Sequence, residues 1–579
     1  MKKNAVLFRP YASIKNINWV ERELLQLLLS KKYQVTVISC GGILGQFCHN
    51  MYLHGLNFNS STPDKRKVCS QCSNGKDFLN LSFSGKINVM ELEQIESKYN
   101  PEIYKLVDHA FTLTNPEFEL DGTNFCSIAA HEIRLTHKLG SIIPEDLRSA
   151  WKHQTLMSLM VYIKTKYFFE KCKEEFSLAT TYNGNYSLNN SFLRAAKFSG
   201  VDAISFQVNA PPHKPDSRIE FRSHNFSIQE TFISDEWDRY RSVSLTLFQM
   251  FRIYFILLSY FKSIGDTVFS REISKRGLNR VSQILNGANS PFVLLTLSSS
   301  DEIFALNDAG YNLTWKTPQA FLDDQLKAVY KIGELAKIFP AIVFVIRPHP
   351  REFGAKSLHN RTISMAPGLS LILKACSNLP NNVFVDEPSS EISLYDWLNF
   401  KPIVFNLNSS AGVENLALSG ITIDISNGRQ FSYPKELNYQ STKIQYLEFI
   451  RTLNILNEKE DRQKTIMAWR WLYFKYYRRT ISIRRSKISK IFYYKMEARF
   501  KTVESNKEDI KKRKLNGLFN ALNHLYFPFI KFKYRKLFQD KSSLKDNSTK
   551  LNIIPFIYYK IVSLIEYHAI FVFLKFLLR

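Results

Sequence analysis

The sequence predicts an α/β protein made of two doubly wound, Rossmann-like domains followed by a basic, aromatic helical tail. Three observations carry this expectation: the chain opens as strand, helix, strand; it starts the same alternation afresh near residue 290; and its composition changes at 461. At 579 residues it exceeds the roughly 250–300 at which one core stops growing, so at least two domains are required. The boundaries fall at 1–240 for the first domain, 241–289 for a helical linker, 290–460 for the second domain and 461–579 for the tail.

Residues 5–8 are apolar, 19–29 carry apolar side chains at helical spacing, and 33–39 alternate around Val35 and Val37. This βαβ opening has no G-x-G-x-x-G turn, which removes the main support for dinucleotide oxidoreductase chemistry. Residues 176–183 run into the loop Tyr182-Asn183-Gly184-Asn185, then a helix through Leu193, Ala195 and Ala196, then a strand at 203–207. Residues 245–261 are strongly apolar and aromatic, but Arg252 interrupts them and they fall short of the ~20 residues of a spanning helix. An interdomain or interfacial helix is expected there. The second domain begins at Ser290-Pro291 with PFVLLTL, an apolar run of the kind buried on both faces of a parallel sheet. A helix at 317–338, strands at 341–346 and 383–385, a helix at 394–399 and a strand at 402–406 continue the alternation.

With 45% hydrophobic and 22% charged residues the chain is globular in composition. The net charge of +26 is concentrated: from 461 onward there are 28 Lys and Arg against 8 Asp and Glu. A basic tail beside apolar patches points to an anionic membrane surface and away from nucleic acid, although an AT-rich codon bias would also enrich lysine. Trp469, Trp471, Tyr473, Tyr476 and Tyr477 beside Arg478 and Arg479 fit an interfacial belt, the alternative being that this first third of the tail packs on the first domain as ordinary core helices. Lys560, Glu566, His568 and Lys575 divide the last apolar stretch, so the tail is expected to lie on the bilayer without crossing it. The opening MKKNAVLFRP loses its apolar run at Arg9 and Pro10, too early for a signal-peptide core, which places the protein in the cytoplasm, peripheral on the inner membrane.

Three loops that follow buried strands of the second domain carry the candidate chemistry, because open α/β sheets bind ligands beyond the carboxyl ends of their strands. The first is Ser298-Ser299-Ser300, which either caps the next helix or binds phosphate. The second is Arg347-Pro348-His349-Pro350, where two prolines fix the backbone around an imidazole and a guanidinium. The third is Ser409-Ser410-Ala411-Gly412-Val413-Glu414, with hydroxyls and a glycine at a helix start suited to a phosphate. Glu414 then either accepts hydrogen bonds from ribose hydroxyls or complements the helix dipole.

RPHP, the pair Ser393 and Tyr395, and SSAGVE with the following ALSGIT resemble the donor-binding half of GT-B glycosyltransferases of bacterial capsule and lipopolysaccharide synthesis, over about 291–425. The resemblance implies a nucleotide sugar held by His349, Ser409, Ser410 and Glu414 without a catalytic metal, and a glycan or lipid-linked acceptor. Ser299, Ser300, Arg347, Ser393, Tyr395 and Gly412 complete the expected donor site. Asn183 and Gly184 resemble a cleft loop of such enzymes, with Asn185 where that loop carries Arg.

A general base for an inverting transfer should come from the first domain. The candidates are His131 and Glu132, with Asp121 and Asp108 behind them. Cys40, Cys48, Cys69 and Cys72 include a C-x-x-C knuckle and read either as a structural zinc site or as free thiols. Two other functions share much of this pattern: a polyol-phosphate transferase of the CDP-glycerol type, and a non-catalytic scaffold of a polysaccharide assembly complex.

Overall fold

The computed structural model describes residues 3–482 except 45–46, 97–100, 173–174, 215–217, 224–234, 266–269, 287–291, 312, 353–365, 428, 430–431 and 441–457. The expected domain start at Ser290-Pro291 and the tail from 483 onward lie outside the described residues.

Strand β1 (Lys3–Arg9) buries Ala5, Val6, Leu7 and Phe8 completely, the requirement for a central parallel strand covered on both faces. Helix α1 (Lys15–Ser30) leads to β2 (Tyr33–Ser39), and α2 (Thr62–Ser82) to β3 (Ile87–Glu91), all three strands parallel. Helices α3 (Phe125–His137) and α4 (Arg148–Lys171) precede β4 (Leu178–Tyr182), which pairs with the other side of β1. Helix α5 (Ser187–Phe198), β5 (Asp202–Val208) and the antiparallel β6 (Arg218–Ser223) complete this half. The resulting order β3-β2-β1-β4-β5-β6 reverses direction between β1 and β4.

After α6 (Leu247–Phe261), the second half repeats that order. It runs through β7 (Phe292–Thr296), α7 (Ser300–Asp308), α8 (Pro318–Ile338), β8 (Val343–Arg347) and β9 (Val383–Val385). Then come β10 (Ile403–Asn406), α9 (Ala411–Ala417), β11 (Ile421–Asp424) and β12 (Tyr439–Gln440). All its strands are parallel, in the order β9-β8-β7-β10-β11-β12, so the reversal lies between β7 and β10. Each half is a Rossmann-like sheet, as expected from the alternation.

The boundary expected at 461 falls inside the folded body. Helix α10 (Glu458–Tyr473) packs on the second half, where the Trp469 indole donates to the Ala417 carbonyl at 2.8 Å and Lys464 donates to the carbonyls of Glu436 and Asn438. A π-helical turn (Phe474–Arg478) then delivers β13 (Thr480–Ser482), which adds antiparallel to β6 of the first sheet. Trp471, Tyr473 and Tyr476 are therefore core residues and not an interfacial belt. Aromatic residues at helical spacing suit a core as well as a membrane, and Trp237, 5.2 Å from Trp471 in an edge-to-face contact, supplies the partner that the local pattern does not reveal.

Helix α6 is a linker helix that turns Ile253, Ile256 and Tyr260 into the core shared with Trp471. The two halves also meet directly. His131 on α3 donates from Nδ1 to the Ala305 carbonyl at 2.7 Å, Arg134 pairs with Asp308, Lys138 with Asp301 at 3.0 Å, and Asn190 on α5 donates to the Ala309 carbonyl. Truncating a fully buried tryptophan leaves a large cavity, so Trp471→Ala is expected to cost ~3–5 kcal/mol, against a much smaller loss for the half-buried Trp469. Denaturant unfolding of the two variants checks this; equal losses would mean that α10 is not anchored by Trp471.

Candidate functional site

The second sheet's reversal point opens into a pocket lined by the end of β7, the Arg347-Pro348-His349-Pro350 loop, the start of α9 and the returning α10. The loop carries a pocket-facing imidazole in a fixed protonation state. His349 Nδ1 accepts the Arg351 N–H at 3.3 Å, which puts the ring proton of the neutral form on Nε2. Burial lowers its pKa to about 4, with Lys138 and Arg347 pushing the same way and Asp301 opposing, so the imidazole is neutral at physiological pH. Arg347 also lines the pocket, but its guanidinium is paired with Asp386, whose carboxylate takes the Trp397 indole N–H at 2.7 Å as well. Its charge braces the loop from beneath.

Glu414 is the polar centre of the pocket. Its carboxylate accepts the Tyr395 hydroxyl at 2.8 Å and the Ser410 hydroxyl at 2.9 Å, and burial raises its pKa while those bonds and the nearby Lys475 act against the rise. Tyr395 stacks on Tyr260 of α6, and Tyr260 shares a 2.9 Å hydrogen bond with Tyr476. The Ser409 hydroxyl accepts the Ala411 N–H at 3.3 Å, which opens α9. Of the expected donor residues, Arg347, His349, Tyr395, Ser409, Ser410 and Glu414 line this one pocket.

The others have local work. Ser393 is fully buried and caps the short helix Leu394–Leu398, accepting the Tyr395 N–H at 3.2 Å and donating to the Arg271 carbonyl at 2.6 Å. At the start of α7, Ser299 donates to Asp301, and both the N–H and the hydroxyl of Ser300 go to Glu352, at 2.6 and 3.2 Å. Gly412 is needed for packing, since a Cβ there would collide with the Tyr433 hydroxyl. Residues that the sequence reading did not place at a site also line the wall, among them Tyr260, Trp471, Tyr476 and Lys475. Lys475 makes no salt bridge among the described residues, and its ammonium lies 5.1 Å from the Tyr476 ring centre. Its place on the same pocket wall as RPHP is a long-range juxtaposition that no local spacing encodes.

The first sheet has a polar cluster at its own reversal point. Glu132 on α3 is buried and accepts Gln154 Nε2 at 2.7 Å, the Ser187 N–H and hydroxyl at 3.2 and 3.0 Å, and the Tyr11 hydroxyl at 3.4 Å. Burial raises its pKa to about 7, and the bonds from Ser187 and Tyr11 limit the rise. Tyr11 follows β1, Tyr186 follows β4, and His49 stands 4.7 Å from the Tyr186 ring. Burial and the neighbouring His131 lower the His49 pKa to about 4. The Arg9-Pro10 break that ended the first apolar run was the available sign of Tyr11. His131 itself is tied to the domain interface, and Asp121 and Asp108 are occupied by Lys166 and Lys152. Asn183 takes a left-handed backbone (φ 44°) just beyond β4, so the Asn183-Gly184 loop does stand at the strand end, and Asn185 accepts the Tyr311 hydroxyl of the second half.

Cys40, Cys48, Cys69 and Cys72 lie near enough to influence one another electrostatically, but Cys72 contacts Asn50 Nδ2 at 3.2 Å and the Ser13 hydroxyl at 3.5 Å. Burial pushes the Cys40 thiol up to about 11 and raises that of Cys48 as well. Among the described residues no three His, Cys, Asp or Glu side chains are arranged to hold a metal ion.

Two Rossmann-like sheets of the same strand order, joined by a chain that returns from the second onto the first, define the GT-B architecture. No family model and no curated protein matches this chain. Among solved structures it is similar to the KpsC beta Kdo 2,4 transferase of Thermosulfurimonas dismutans, at 12% identity over 52% of this chain and 79% of that one, with a TM-score of 0.31. It is also similar to the UDP-GlcNAc 2-epimerase of Neisseria meningitidis bound to UDP-GlcNAc (11% identity, 81% and 96% covered, TM-score 0.24). A third is MurG of Acinetobacter baumannii (8% identity, 80% and 94% covered, TM-score 0.24). Likenesses of this size add nothing to the strand order, on which the architecture rests.

The cysteine corner is decided by metal analysis of freshly prepared, reduced protein. Close to one zinc per chain, lost in the Cys69→Ser/Cys72→Ser double variant, is the outcome expected of a structural metal site; thiols that titrate with a thiol reagent and carry no transition metal are the outcome expected of free cysteines.

Proposed function

We propose that the protein is a glycosyltransferase that moves a sugar from a nucleotide-sugar donor to a lipid-linked or growing surface polysaccharide, capsule or lipopolysaccharide, at the cytoplasmic face of the membrane. The observation that carries this reading is the second-sheet pocket. It combines a buried carboxylate, a neutral imidazole, serine hydroxyls and a lysine with no salt bridge among the described residues, at the reversal point where α/β sheets bind nucleotides. In this reading Lys475 and His349 Nε2–H meet the diphosphate, Ser409 and Ser410 add hydroxyl contacts, and Glu414 accepts from the ribose. These groups stabilise the leaving nucleotide's charge, so the reading calls for no catalytic metal.

Glu132 is the proton acceptor for the attacking hydroxyl in this scheme. A carboxyl with a pKa near 7 is matched to general-base work at physiological pH, and Tyr11, Tyr186 and His49 offer the flat surfaces on which a sugar ring packs. Peripheral attachment to the bilayer fits the basic sequence from 483 onward, and among the described residues no helix is long and apolar enough to cross a membrane.

A thermal-shift screen against UDP-, CMP-, CDP- and GDP-linked sugars tests the donor. A ligand at about 100 times its Kd should stabilise the fold by roughly 2.7 kcal/mol. His349→Ala and Lys475→Ala are expected to abolish that shift while melting close to the wild type. Silence towards every donor would favour a scaffold, and a response confined to CDP-glycerol would favour a polyol-phosphate transferase. If His349→Ala melts far below the wild type yet keeps its activity per folded molecule, His349 is structural.

The base has its own test. Its carboxyl must be ionised to act, so kcat should rise as pH passes about 7 and level off above it. Glu132→Gln should remove that limb and lower kcat by roughly 10²–10⁴. An unchanged profile in Glu132→Gln would move the base elsewhere.

A further inference from the structure

Helix α6 is apolar on both sides, and the described protein buries one side while leaving the other part-exposed, with the His213 ring 5.7 Å from the Phe255 ring. Ile253, Ile256 and Tyr260 form the covered stripe, in the core with Trp471. The opposite stripe, Leu247, Phe248, Phe251, Tyr254, Phe255 and Leu258, recurs at the helical repeat, with Phe248 64% and Phe255 41% exposed. Arg252 is the single charged residue in the fifteen. A helix hydrophobic all round is ordinarily buried on every side, so something apolar belongs on this face.

The charges at its edge say what. The Arg252 guanidinium lies flat over the Phe248 and Tyr477 rings, at 4.3 and 4.7 Å, its charge held at the rim while its stem shares the apolar surface. Arg470 donates to the Arg241 carbonyl at 2.7 Å and Arg478 stands 5.6 Å over the Tyr240 ring, which places both beside the same end. Arg252, Arg470 and Arg478 make no salt bridge among the described residues, and Asp238 and Glu436, the acids nearby, lie on Arg241. The chain leaves this flank at Ser482, and the 97 residues that follow carry 22 Lys and Arg against 7 Asp and Glu.

We infer that the outer face of α6 is the surface by which the protein docks on an anionic lipid bilayer, its aromatic stripe at headgroup depth and the arginines on lipid phosphates. A second copy fits poorly, because a twofold contact through this face would set the same arginines against each other. Residues 483–579 fit poorly as well, since their net charge of +15 would meet a positive rim. The inference rests on the peripheral-membrane reading above and adds the contact surface to it.

Flotation of the full-length chain with phosphatidylcholine vesicles, with and without phosphatidylglycerol, tests it. The wild type is expected to float with the anionic vesicles and to detach at high salt. Phe248→Glu/Phe255→Glu is expected to lose at least about tenfold in lipid partitioning while its thermal shift with donor is unchanged. If the wild type floats with neither vesicle, the peripheral reading itself fails. If the wild type floats and the double variant floats equally, this face is not the contact. Unchanged flotation with conversion of a dimer to a monomer would instead assign the face to a second copy, and unchanged flotation with new protease sensitivity in 483–579 would assign it to the chain's own tail; either outcome overturns the inference.

Discussion

The return of the chain from the second sheet to the first is the constraint on which the rest of the structure depends. Helix α10 is anchored in the second half by the Trp469 indole on the Ala417 carbonyl and by Trp471 in the core. Seven residues beyond the end of α10 the same chain is a strand of the first sheet, with Arg218 donating to Thr480 Oγ1 at 2.6 Å and Arg479 paired to the buried Glu220 at 2.8 Å. A crossing this short ties both halves to one element. It also brings Lys475 and Tyr476 to the pocket wall, so the pocket exists only when the return is made.

Two reversal points follow from the repeated strand order, and they differ in chemistry. The second gathers a lysine, an imidazole that stays neutral and a hydroxyl-bonded carboxylate, which suits a polar anion with attached hydroxyls. The first gathers a carboxyl of elevated pKa among aromatic rings, which suits proton acceptance beside a sugar. One site is arranged to hold charge and the other to take a proton. The α3–α7 contacts, His131 to Ala305 and Lys138 to Asp301, join the elements that border them.

Much of the second half was legible in the sequence because its strands are unbroken apolar runs and its loops carry proline and serine at their ends. PFVLLTL, 341–346 and 402–406 coincide with β7, β8 and β10 within two residues, and six of the ten expected donor residues meet in one pocket. What local pattern could not resolve was the use of a side chain whose partner is distant. Ser393 and Ser300 look like ligand hydroxyls until Arg271 and Glu352 are placed beside them. The aromatic run at 469–477 reads equally as core or as membrane belt, and Trp237, more than two hundred residues earlier, decides for core. Strands β3 and β13 were not foreseen, since an edge strand half-exposed to solvent has too little apolar character to stand out, and neither was β6, whose charged residues Arg218, Glu220 and Arg222 interrupt any apolar run.

The central claim is that the returning helix and the two serine- and proline-bearing loops form one nucleotide-sugar site. Hydrogen exchange of the full-length protein, with and without a saturating nucleotide-sugar donor, measures this most directly. The account predicts joint protection of 347–352, 409–418 and 471–478, with 33–44 of the first sheet unchanged. Protection of the two loops without 471–478, or protection confined to the first domain, would contradict it.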